Sequence, residues 1–119
     1  MLGYSQSNTG AGVIAQHSAG KTALEINNGF IKVSGSTGNK TAFVVTTATG
    51  AGGNTAGNNT AISYNNPLPA DIVIVTHNWQ GNYMGAIGVY WNISEWRLFR
   101  EDGLVMPNGE KFNVIVIKQ

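Results

Sequence analysis

The chain has 119 residues, with 7 Lys and Arg against 6 Asp and Glu, and no cysteine. That length suits one domain whose modest core needs no disulfide, and the missing thiols exclude a thiolate zinc site and a cysteine nucleophile. Charged residues are only 11 %, so the surface lacks the field that draws a protein to nucleic acid or an anionic membrane, and neither is an expected partner.

The opening MLGYSQSNTGAG has neither the basic nor the apolar region of a secretory signal. No apolar run approaches the ~20 residues of a membrane span, so no membrane insertion is expected. Residues 3–26 carry a loose 11-residue echo that sets Ser7 over Ser18, Gly12 over Ala23 and Val13 over Leu24. Small residues with one apolar position per period suit narrow β-solenoid coils, but two copies bury no core without partner chains. The alternative is a Gly/Ser-rich arm. Either way, residues 1–22 read as an N-terminal stem or arm, and residues 23–119 as a β-sandwich head.

ALEINNGFIKVSG reads as a hairpin, with Leu24 and Ile26 leading into Asn27-Asn28-Gly29, and Ile31 and Val33 returning. A turn over Gly35–Lys40 precedes the Thr/Val-rich strand TAFVVTTAT (41–49). GAGGNTAGNN (50–59) is too polar and glycine-rich for an element and reads as a flexible loop. AISY (61–64) is a short strand, and Pro67 and Pro69 make a fixed connector. Asp71–His77 contains the unbroken run Ile72-Val73-Ile74-Val75, which suits a strand buried on both faces. An unusually aromatic loop, NWQGNYMG (78–85), follows. Period-two alternation then predicts a hairpin over 86–100 that turns at Asn92-Ile93-Ser94, with Trp91 and Trp96 in the core. Turns at Glu101-Asp102-Gly103 and Pro107-Asn108-Gly109 lead to a last strand, Phe112–Lys118. About eight strands and no helical period predict an all-β fold, with two packed antiparallel sheets or a short barrel.

Several of these stretches resemble a bacterial and phage-like module of poorly described function. ALEINNGFIKVSG resembles the "ALxxxGxIKVSG" segment that closes runs of "GxSxxGxGVxA" repeats, with GYSQSNTGAGVIAQHSAGKTALEI as the last repeat. NNPLPADIVIVTHNW, IGVYW, EWRLFREDGLVMP and FNVIV resemble its sandwich segments in the same order. The repeats are similar to the intertwined β-helical stems of phage tail fibres and spikes. The resemblance implies a jelly-roll-like antiparallel sandwich on a short stem, a homotrimer, and an extracellular or virion-surface setting. The "NWNPG" insertion of many relatives is shortened here to NWQGNYMG.

Ala15–Thr22, AQHSAGKT, fits a relaxed phosphate-loop pattern. That loop needs a strand before it and a helix after it, and here turn and strand residues follow, so it is rejected. His17 and His77 belong to no metal-binding spacing, and a catalytic metal takes about three protein ligands. Only a trimer axis would multiply either histidine, so no metal and no cofactor are expected. The carboxylates are Glu25, Asp71, Glu95, Glu101, Asp102 and Glu110. A glycosidase needs two of them across a cleft, but turns account for Glu101 and Asp102, and no GxSxG elbow supports a serine hydrolase. Trp79 with His77, Asn78, Gln80, Asn82 and Tyr83 forms the binding candidate: aromatic faces stack on sugar C–H surfaces and amides bridge hydroxyls. The competing reading folds Trp79 back as a lid on the core or packs it between subunits. The three Asn-x-Ser/Thr sequons follow from Asn and Thr abundance. The expected function is a non-enzymatic structural or adhesion module, a trimeric fibre head engaging a glycan or cell-surface receptor. The alternatives are a monomeric carbohydrate-binding domain and a small hydrolase using Asp71 or Glu95.

Overall fold

The computed structural model describes residues 15–119, and the chain divides into two units, residues 1–32 and 33–119. Of the first unit, residues 15–32 form turns and bends without a strand. The hairpin expected over Leu24–Val33 does not form. Asn28 does take the left-handed conformation of an Asn-Gly turn, at φ 58°, but the residues on either side stay unpaired, and Leu24, Ile26, Phe30 and Ile31 are exposed. Two strands with no third strand or core beneath them are marginal in water. No helix follows Ala15–Thr22, in keeping with the rejected phosphate loop. The 11-residue echo begins in residues that lie outside the described ones.

The second unit opens with a single 3-10 turn, Thr37–Asn39, and continues as seven strands. They are β1 (Ala42–Thr46), β2 (Thr55–Ala56), β3 (Asn59–Ile62), β4 (Ile72–Asn78), β5 (Ile87–Asn92), β6 (Glu95–Arg100) and β7 (Lys111–Ile117). One sheet has the order β1-β7-β4 and the other β2-β3-β6-β5, and every pairing is antiparallel. Period two decides what goes inside. On β7, Phe112, Val114 and Val116 are buried while the alternate positions face out. With Val45 of β1 and Val73 of β4 they meet Ile62 of β3 and Leu98 of β6. Met84 and Met106, from connecting segments, fill the remaining space. Each such side chain contributes roughly 1.5–3 kcal/mol by leaving water. Two antiparallel sheets sharing one core give the all-β arrangement of a β-sandwich.

Three expectations are corrected here. Residues 50–59 are not a flexible loop, because they supply β2 and its tight turn into β3. Asn54 organises them: its Oδ1 accepts from Ala48 N at 2.8 Å and its Nδ2 donates to Thr46 O at 3.0 Å. Asn58 Nδ2 then donates to Arg100 O at 3.1 Å, tying the turn to β6. Second, β4 is not buried on both faces: Val73 points inward while Ile72 and Ile74 are exposed. Third, Trp91 and Trp96 are half-buried rather than core. They sit directly opposite each other on β5 and β6, edge to face with centroids 6.0 Å apart. Trp96 Nε1 donates to Leu68 O at 3.0 Å, and this polar demand keeps the ring near the surface.

Candidate functional site

The aromatic loop leaves the end of β4 and returns to the core at Met84, which is buried. Both ends are therefore fixed. Trp79 is 69 % exposed and Tyr83 91 % exposed, so Trp79 does not fold back as a lid on its own core. Gly81 has φ 104°, a conformation open to glycine and strained for other residues, and it turns the chain between the two rings.

The base of the loop is built around one carboxylate. Glu110, buried just before β7, accepts from Asn82 Nδ2 through Oε1, and its Oε2 lies 3.0 Å from His77 Nε2. The His77 ring rests on Phe112 with centroids 5.2 Å apart. Glu110 is itself positioned by Thr47, whose Oγ1 accepts from Glu110 N at 2.8 Å and donates to Pro107 O at 2.6 Å. The hydrogen bond from Asn82 holds the Glu110 carboxyl below its ordinary range; burial opposes this, and the His77 contact adds to it. A carboxylate fastened on both oxygens is a fixture rather than a free base. Asn78 Nδ2 donates to Asn113 Oδ1 at 3.2 Å, and Gln80 Nε2 donates to Asn78 Oδ1 at 3.1 Å.

The predicted residues therefore separate into two groups. His77, Asn78 and Asn82 hold the loop in place, whereas Trp79 and Tyr83 are presented to solvent. Glu110, counted in the sequence only among the carboxylates, is the residue that anchors the loop. Its only signal was a lone carboxylate between the Asn108-Gly109 turn and the last strand.

The other candidates have different fates. Asp71 is fully buried. Its Oδ2 accepts from Tyr64 Oη at 2.9 Å, Leu68 N at 2.9 Å and Lys118 Nζ at 2.6 Å, and its Oδ1 from Gln119 N at 3.2 Å. Burial alone would raise its pKa, but the Lys118 ammonium and the other donors hold it well below the carboxylate range. The same burial and the neighbouring Asp71 raise the Tyr64 hydroxyl. The cluster clamps the connector and the chain end to β4. Glu95 pairs with Arg97 at 2.8 Å beside a shallow cleft of about 380 Å³ that also includes Ser63 and Asn54. His17 lies in the first unit, where its Nδ1 accepts from Ala19 N at 3.1 Å. Among the described residues no three His, Asp or Glu side chains gather as a metal site requires.

A cleft of about 460 Å³ is lined by Gly38–Thr41, Tyr64–Asn66 and Val116–Lys118. It lies at the Ile117 end of β7, the far end of the strand from Glu110 and the aromatic loop. This cleft and the exposed aromatic loop therefore occur at opposite ends of one sheet. For a sugar-stacking role the rings matter more than the hollow, because stacking needs an open aromatic face.

A family model described as Domain of unknown function (DUF7452) matches residues 2–116, and the chain belongs to that family. No curated protein and no solved structure matches the chain.

Proposed function

We propose that this member of the DUF7452 family is a non-enzymatic adhesion module. In this reading it is a fibre-like head, homotrimeric on a short N-terminal stem, jelly-roll-like in topology and phage-like in setting. It displays the Trp79–Tyr83 loop to a glycan or other cell-surface receptor. One observation carries the reading: two aromatic rings stand exposed on a loop whose base is locked by Glu110. Exposed rings on a fixed base lose little conformational entropy on binding. A single shallow contact of this kind is weak, and several copies engaging together supply avidity. The stem and the trimer rest on the resemblance of residues 3–33 to fibre repeats.

A glycan array and a cell-attachment assay with Trp79→Ala and Tyr83→Ala test the proposal. Loss of binding with unchanged folding is the expected outcome, and equal binding by parent and variants sinks it. A monomeric carbohydrate-binding domain is the second reading, favoured by the same exposed Trp79. It predicts that binding survives dilution to a 12.6 kDa species.

A further inference from the structure

The outward face of the β1-β7-β4 sheet has two halves. Near the aromatic loop it is polar: Thr46, Thr76, Asn78, Lys111 and Asn113 point out, and Asn113 bridges to Asn78 and Thr76 at 3.2 and 3.3 Å. Towards the other end it is aliphatic. Ile74 and Ile115 are direct partners, as are Ile72 and Ile117, and Ala42 completes the row opposite Ile115. Val44 is outward on β1, and these valine and isoleucine side chains are 45–52 % exposed. An antiparallel sheet with one face on a core ordinarily turns polar residues to water on the other. Here the Ala42–Ile115–Ile74 row and the Ile117–Ile72 pair do the opposite, with Val44 beside them opposite Asn113, so the uninterrupted run Ile72-Val73-Ile74-Val75 suits a strand covered on both faces although one chain covers only one.

We infer that this aliphatic half-face, Val44, Ile72, Ile74, Ile115 and Ile117, is where copies of this chain pack on one another. Two properties favour a second copy over a foreign partner. The five side chains carry no charge; Lys111 stands at the polar end, and Lys40 and Lys118 border the patch beside Ile117, where they line a cleft with it. An uncharged ladder of branched side chains is complementary to itself and buries no unpaired ion when two meet, as a self-association contact requires. The area also fits. The five side chains expose roughly 450 Å², the size of the largest apolar patch on an ordinary monomer, which is often functional. That is about half of the ~800 Å² each partner gives a stable interface, leaving the adjoining polar residues as its rim. The inference rests on the multi-copy reading above and moves the contact into the head. Rotational packing about an axis along the strands would gather the Trp79 loops at one end.

The test is the solution mass of the full chain, by sedimentation and light scattering over a wide concentration range. Ile74→Thr with Ile115→Thr is compared with the parent, because threonine keeps the strand preference and removes the apolar surface. Ile74→Lys with Ile115→Lys is the harsher pair, and circular dichroism checks folding of both. The parent is expected at a multiple of 12.6 kDa and a folded variant at that unit mass, with Trp79→Ala leaving the mass unchanged. A folded variant that keeps the parental mass overturns this inference while the multi-copy reading stands. A parent that is monomeric throughout overturns both. A monomeric parent that binds liposomes or a foreign protein through Ile74 and Ile115 assigns the face to another occupant, which also overturns it.

Discussion

Glu110, just before β7, and His77, near the end of β4, face each other at 3.0 Å, and the same carboxylate holds Asn82 from the loop that follows β4. A single side chain thus joins the start of β7, the end of β4 and the base of the exposed aromatic loop. Glu110→Ala leaves two polar partners unpaired beside the core, and Glu110→Gln returns only part of the bonding. Losses of roughly 1–3 kcal/mol are expected for Ala and less for Gln, read by urea denaturation. Trp79 emission should broaden or shift in both variants, because the loop loses its anchor. Parental stability in Glu110→Ala would contradict the anchoring role.

Acid should release the same anchor. Glu110, Asp71 and Asp102 all have folded pKa values below their ordinary ones: Glu110 from Asn82 and His77, Asp71 from Lys118 against its burial, and Asp102 first from its Arg100 hydrogen bonds. A depressed folded pKa contributes stability that is fully present above the unfolded value near ~4 and is lost as the pH falls through the folded value. Melting temperature is therefore expected to be flat from neutrality to about pH 5 and to fall below about pH 4. Asp71→Asn should lower the neutral plateau and flatten the acid limb. A melting temperature independent of pH down to 3 would count against these assignments.

Ile93 is a place where the chain is strained. It occupies the two-residue turn between β5 and β6 with φ 58°, a conformation that costs an L residue about 1–2 kcal/mol and is worst for a branched side chain. Ile93→Gly or Ile93→Asn is expected to stabilise the protein by roughly 0.5–1 kcal/mol, since turns of this kind favour those residues. Thermal melts check it, and a lower melting temperature for both variants would mean that the exposed isoleucine makes a contact worth more than the strain.

Gly53 has the opposite character. A Cβ there would sit 2.0 Å from the Ala48 carbonyl oxygen, inside the turn stapled by Asn54. Gly53→Ala must push two backbone segments apart, and a loss of roughly 1–3 kcal/mol is expected. An unchanged denaturation midpoint would show that residues 48–54 tolerate movement.

Trp79→Ala and Tyr83→Ala should leave stability within about 0.5 kcal/mol of the parent, as surface changes away from buried groups do. A large loss in either would mean that the rings support the fold, and would move the loop from display to structure.

How much of this was legible in the sequence varies with the range of the forces involved. The positions of β5 and β6 follow from local alternation, whereas the unbroken apolar run of β4 hid which of its faces is inward. The turn at Asn92–Ser94 and the position of the last strand were equally plain. Leu24–Val33 was misread because a good Asn-Gly turn is a local signal, whereas pairing needs a covering surface that no local pattern reveals. Residues 50–59 were misread in the other direction: glycine content suggested freedom, but Asn54 and Asn58 supply long-range hydrogen bonds. The loop Trp79–Tyr83 was identifiable from its aromatic content. Its anchor was not, since His77 and Glu110 are far apart in sequence and meet only through the β4–β7 register.

That register has a consequence in time. β7 comes last in sequence among the seven described strands, yet it lies between β1 and β4. Until residues 111–117 leave the ribosome, neither β1 nor β4 has its hydrogen-bonding partner, and both expose branched aliphatic side chains. Assembly of this sheet must await the synthesis of residues 111–117, when β1 closes onto β7 across a long stretch of intervening sequence. Folding dominated by such distant pairings is slow, and the waiting strands are open to mispairing between nascent chains. On polysomes, neighbouring copies would meet at the stage when those edges are bare.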